Sequence, residues 1–121
     1  MSFSAPMDLA AVRAVFAAHL ASLRDPAVAA GAYRGGSGHR TDLYASLDVA
    51  LMRTVMGEEL ATSLSPAERR AWADHINAHQ RPDGTFTDVF THHSQLHAHG
   101  MVIGALVALG ETMRYPHTLY A

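Results

Sequence analysis

The sequence predicts an all-α fold, about four helices arranged as antiparallel hairpins in a single helical domain over residues 1–121. Three observations predict it. Apolar residues recur at every third or fourth position through four segments, the period of a helix with one buried face. No stretch alternates apolar and polar residues as a half-buried strand would. Pro, Gly, Ser and Asp collect at the segment ends, where helices start and stop. The composition, 49% hydrophobic and 17% charged, is that of a folded globular chain and not of a disordered one.

The first helix is expected over 7–24, with Leu9, Val12, Phe16, Leu20 and Leu23 on one face. Pro6 suits its first turn and Asp25-Pro26 ends it. Residues 31–40, GAYRGGSGHR, form a Gly-rich connector. They lack the Lys-Ser or Lys-Thr ending of a phosphate loop, so a flexible link is the expected role. The second helix opens at Thr41 or Asp42 and reaches about residue 60, with Leu43, Leu47, Leu51, Val55 and Met56 as its core stripe. The third, 66–80, begins at Ser-Pro-Ala-Glu, in which Ser65 caps, Pro66 fills the first turn and Glu68 completes a capping box. Trp72 and Ile76 point inward, and the Pro82-Asp83-Gly84 turn stops the helix. The fourth, 94–113, carries Ala98, Gly100, Gly104, Ala105 and Ala108. A Gly inside a helix costs about 1 kcal/mol against Ala, so close approach of another helix, or a crowded site, is expected to offset it.

Composition narrows the function classes. A net charge of −2 without a basic stripe argues against nucleic acid. Cysteine is absent, which removes disulfides, thiolate zinc sites and cysteine nucleophiles. The longest apolar run, GMVIGALVALG, is about half the length of a bilayer span. The first residues lack a cationic segment followed by an apolar run. A soluble, cytoplasmic protein is the expectation.

An internal repeat organises the chain. LYASLDVALMRTVMGE (43–58) aligns with LHAHGMVIGALVALGE (96–111) at five identical positions, Leu, Ala, Val, Gly and Glu. The offset of 53 residues is about one helical hairpin with its loops, and repeats of that period indicate stacked hairpins. Tyr44 and His97 are equivalent in this register.

INAHQRPDGTF places Ile76, Gln80, Gly84 and Phe86 in an Ile-x-x-x-Gln-x-x-x-Gly-x-aromatic pattern, with Arg-Arg-Ala-Trp upstream. This resembles the QW-type repeat of the α/α-toroid superfamily, which includes terpene cyclases and protein prenyltransferases, over about residues 41–113. There is also a likeness to bacterial carbohydrate-active toroids. The resemblance implies that Gln80 caps helix ends and packs on the aromatic, while Gly84 makes the turn. It further implies that the second and fourth helices are inner ones whose N-terminal ends border a cavity. Asp42, Tyr44, Asp48, His93 and His97 are therefore the cavity candidates. The Asp-rich acid motif of squalene-type cyclases and the Asp/Cys/His zinc set of protein prenyltransferases are missing. A full toroid of this superfamily needs about six hairpins, and this chain has room for about two. An incomplete toroid is expected, associating with copies of itself or with the remainder of a larger protein. The closing YPHTLYA reads as the start of another connector.

Nine histidines are many for this length. His75 and His79 are four apart, as are His93 and His97, so each pair shares a helix face, and two pairs can in principle complete a tetrahedral zinc site. The plainer expectation sets His75 and His79 on a solvated face, makes His92 a helix cap, and gives His93 and His97 a pocket-lining role. Asp42 is either a cap or a cavity group. Asp83 and Asp88 read as turn residues, Trp72 and Phe86 as core. Three functions are compatible: a self-associating binding or scaffold module, an enzyme or enzyme fragment acting on a glycan or isoprenoid through a His/Asp/Tyr cavity, and a divalent-metal protein.

Overall fold

A computed structural model describes residues 6–26, 28, 30–36, 38–90 and 92–116. Among these the chain is all-α, with five helices and no strand: α1 (Leu9–Ser22), α2 (Leu43–Val55), α3 (Leu60–Ser63), α4 (Pro66–Asn77) and α5 (Gln95–Leu109). Residue 37 of the Gly-rich connector and residues 117–121 of the closing segment lie outside the described residues.

Local chemistry sets the helix ends. Asp8, Asp42, Ser65 and Ser94 each accept a backbone N–H from the first turn of their helix. Ser65 and Glu68 form the expected capping box in full. The first helix begins later than expected, because the cap is Asp8 and Pro6 lies outside it. The second and fourth end earlier, for one shared reason. Gly57 and Gly110 adopt positive φ, 95° and 70°. The following N–H groups then turn back, Glu58 to Arg53 O at 3.1 Å and Glu111 to Leu106 O at 2.9 Å, closing the carbonyl end as a Schellman-type stop does. These are the repeated Gly-Glu positions. The short α3 starts at Leu60, where the second helix is expected to end, and the periodicity predicts no helix over 61–63.

α2 and α5 are each other's main helical partners and run side by side in the same direction. Tyr44 meets His97 at one end, and Leu51 packs 3.5 Å from the Cβ position of Gly104 one stretch further on. Both contacts join residues 53 apart, the repeat offset. Gly104 thus serves the close approach expected of it, whereas a Cβ at Gly100 would meet nothing within 4 Å. α4 returns antiparallel to α5, with Arg69 beside Gly110 and the 84–86 turn beside Gln95 and His99.

The core is built from Leu43, Leu47, Leu60, Trp72, Ile76, Phe86, Val102 and Leu109, all essentially inaccessible. Trp72 and Phe86 are core as expected. The indole N–H of Trp72 donates to Ser46 Oγ at 2.9 Å, so its one polar atom is satisfied in the interior. The Gly-rich connector is not a free link over its first part. Gly31, Ala32 and Tyr33 are buried, Tyr33 lies 5.4 Å from the Trp72 ring, and isolated bridges tie Arg24 to Tyr33 and Arg34 to Thr41.

Gln80 has a larger role than turn chemistry required. Its amide donates to Gly84 O (3.2 Å) and Tyr115 O (2.9 Å), and its Oε1 accepts from Tyr115 N (2.8 Å). Asn77 supports the same segment, donating to Thr112 O and accepting from Arg114 N. The C-terminal end of α4 therefore holds both its own turn and the segment that follows α5.

Two expected core stripes are only half used. In α1, Leu20 is buried and Phe16 and Leu23 pack against the core, but Leu9 and Val12 are exposed. In α2, Leu43 and Leu47 are buried while Val55 is 84% exposed. The cause is the placement of α1, which packs only lightly on the other helices. An open cleft of about 630 Å³ separates it from the body. No helix among the described residues is long and apolar enough to cross a membrane.

Candidate functional site

Tyr44, Asp48, His93 and His97 come together where α2 and α5 begin. The caps place them. Asp42 starts α2, so Tyr44 stands in the first turn and Asp48 one turn later on the same face. Ser94 starts α5, so His97 stands in its first turn and His93 just before it. The parallel register of the two helices then sets the two starts side by side.

The rings form a stack. Tyr44 lies 4.6 Å from Phe90 at 15°, 5.0 Å from His93 at 24° and 5.9 Å from His97 at 20°. His93 and His97 are 4.2 Å apart and within 8° of parallel. His92 joins at 4.2 Å from His93 and 5.7 Å from Phe90. Tyr44 Oη lies 3.4 Å from His97 Nδ1, a long contact that serves as a weak hydrogen bond when that nitrogen is unprotonated. Tyr44 is buried; Asp48 and His97 are exposed and His93 is half-buried.

Charge and desolvation tune the cluster. Burial, then the Asp48 charge, raise the Tyr44 phenol above its ordinary range. Asp48 is raised by desolvation first and by Asp42 second, with His97 and His93 pulling the other way. His93 is lowered by desolvation, then by His92 and His97, against the attraction of Asp48. The lowered His93 is a neutral imidazole near pH 7, able to accept a proton, beside a carboxylate able to accept a hydrogen bond. Most of the cluster is exposed, and none of its residues lines the 630 Å³ cleft.

Asp42 is a cap, accepting from Ala45 N at 2.8 Å, yet its charge also reaches Asp48, His75 and His79. His75 and His79 meet edge to face at 5.6 Å. They are half-buried, not on a solvated face, and His75 Nε2 is buried without a hydrogen-bond partner. Burial lowers both, and Asp42 opposes the shift at each. The ring contacts run within each histidine pair, 75 with 79 and 93 with 97. Among the described residues no group of three or more His, Cys, Asp or Glu side chains is placed to hold a metal ion, so zinc receives no geometric support here. Asp83 is the turn residue expected, accepting from Thr85 N and Oγ1. Asp88 takes positive φ (63°) and pairs with Arg40 at 3.1 Å.

Two members of the stack escape sequence reasoning. Phe90 carries no motif, and His92 reads as a cap; Ser94 holds the cap instead, which frees the His92 ring to stack. A spacing signal existed, since Phe90, His93 and His97 follow at three and four positions, but it starts outside the helix. His99 is structural: its ring nitrogens lie 2.7 Å from Gln95 O and 2.8 Å from Gly84 O, in the fully buried core. Compared with family models, with curated proteins and with solved structures, the chain has no match in any of the three.

Proposed function

We propose that this chain is a helical association module, whose copies pack through an apolar face shared by α1, α2 and α5, or which packs by that face within a larger toroid-like assembly. One observation carries the reading. Phe16 of α1 and Leu51, Met52, Val55 and Met56 around the end of α2 surround a shallow, almost wholly apolar hollow of about 210 Å³. Leu51 also packs on Gly104 of α5, and on that helix Ile103 and Val107 are exposed, the latter 71%. Contiguous apolar surface of this kind marks interaction sites. Covering about 400 Å² of it gains about 10 kcal/mol before the costs of association are deducted. The parallel α2 and α5, related by the repeat offset and each preceded by a further helix, support stacked hairpins of the toroid type, whose end faces need a neighbour. The test is light scattering on Val55→Glu. Val55 is almost fully exposed, so the fold tolerates the change, and the variant is expected to dissociate. A variant that assembles as the parent does would remove the reading.

A second reading rests on the convergence of Tyr44, Asp48, His93 and His97. A polar cluster with an imidazole, a carboxylate and a phenol suits a hydroxyl-rich glycan better than an isoprenoid. In this reading His93 accepts a proton from a bound hydroxyl and Asp48 orients it. Binding or turnover of oligosaccharides lost in Asp48→Asn and His93→Gln, with melting unchanged, would favour it over association alone. Turnover is not expected if the face is the whole function.

A further inference from the structure

We infer that the cleft between α1 and the rest of the chain is a binding site for a small amphipathic anion, a carboxylate carried on an apolar chain. The cleft's volume of about 630 Å³ falls within the roughly 300–1,000 Å³ range of small-molecule sites. One wall is a single face of α1. Arg13, Phe16, Ala17, Leu20 and Ala21 line it at steps of three and four, and Arg24 lies two residues past the helix end at Ser22, so an apolar strip runs between two arginines. The opposite wall presents Leu64 and the rings of Tyr33 and Trp72.

The charges sort the ligand class. Three arginines and two glutamates line the cleft, and most are committed. Arg53 pairs with Glu58, donates to Tyr33 Oη at 3.3 Å and lies 5.5 Å over the Trp72 ring. Glu68 accepts from Ser65 N at 2.8 Å in the capping box. Among the described residues the side chains of Arg13 and Arg24 have no hydrogen bond or ion pair within the chain. The unmatched charge of the cleft is therefore positive, and it borders an apolar floor. A ligand that satisfies both has an anionic head and an apolar body.

The two arginines are not equivalent. Arg13 stands nine residues before the helix end at Ser22, about 14 Å along the axis, and Arg24 lies beyond that end, so a single head engages one of them. Arg24 shares its end with Glu68, whose carboxyl is held low by Ser65 above all and by the Arg24 charge after it, and that acid opposes a second anion. The head goes to Arg13, and the chain lies over Phe16, Leu20 and Trp72.

Trp72 is the only tryptophan, so its fluorescence reports the cleft directly. The experiment titrates the full chain with decanoate below its micellar range, with decanol as the uncharged control. Arg13→Gln and Arg24→Gln proteins are run alongside, each checked by far-UV circular dichroism. A saturable change with decanoate is expected, about tenfold tighter than with decanol. Arg13→Gln should lose about that tenfold and leave decanol unchanged; Arg24→Gln should lose less. Phe16 and Met56 border both this cleft and the association face, but Val55 lines only the latter; the order of affinities, decanoate over decanol and parent over Arg13→Gln, should therefore be kept in a Val55→Glu background, which separates anion binding from association. No saturable change, equal affinity for acid and alcohol, or an unaltered Arg13→Gln overturns the inference. So does a Trp72 signal that follows protein concentration instead of ligand, which would give the cleft to a second copy.

Discussion

Gln80→Ala tests how the two halves of the fold are held together. The substitution removes three hydrogen bonds, those with Gly84 O, Tyr115 O and Tyr115 N. Gly84 O keeps His99 Nε2 at 2.8 Å, so that carbonyl is not orphaned. The two Tyr115 groups lose their partner at a half-buried position. An unsatisfied buried group costs about 1–3 kcal/mol, and partial water access puts each near the lower half, giving about 2–4 kcal/mol together. At this chain length about 1 kcal/mol moves Tm by about 4 °C, so a fall of roughly 8–16 °C is expected. The assay is thermal unfolding by far-UV circular dichroism, with association measured in parallel. Association should persist below the new Tm, because Gln80 is remote from the Val55 face in the packing. A Tm within about 2 °C of the parent would refute the hydrogen-bond account. Loss of association with no loss of Tm would turn Gln80 into an interface residue.

Gly31→Ala should destabilise strongly, by about 3 kcal/mol or more: Gly31 has φ 89° and an added Cβ would fall 2.2 Å from Trp72 Cδ1; wild-type denaturant resistance in the variant would show that the connector is not packed on Trp72. Stability should also fall with acid. Burial above all holds His75 and His79 below their ordinary value of 6.5, so the unfolded chain takes up protons there before the folded chain does. Their contribution is complete above about pH 6.5 and is lost as pH falls toward the folded values. Tm measured from about pH 8 to about pH 5 should drop, and the drop should shrink in the His75→Gln/His79→Gln double variant; an equal drop in the variant would place the titrating group elsewhere.

The helices were legible because caps and periodicity act locally. Ser65-Pro66-Ala67-Glu68 marked its helix start to the residue. Tyr44 and His97, aligned at the offset of 53 residues, meet because α2 and α5 pack in parallel. The Gly57 and Gly110 stops were present in the aligned sequences, but a Gly near an apolar run reads equally as a packing residue, as Gly104 is. The fate of α1 was not legible. Its Leu9, Val12, Phe16, Leu20 and Leu23 spacing predicts a buried face, but a local pattern does not say which chain buries it. Tyr33 joined the core through contacts set by tertiary placement and carries no signal in its own neighbourhood, while the spacing of Phe90 to His93 and His97 starts outside the helix and so does not read as a helix face.

The claim that this chain exists to associate is tested most directly by sedimentation equilibrium over a micromolar concentration series. The account predicts a mass at least twice the 13.0 kDa of one chain, falling toward one chain on dilution or in Val55→Glu. A single 13.0 kDa species at every concentration, identical in parent and variant, would contradict it.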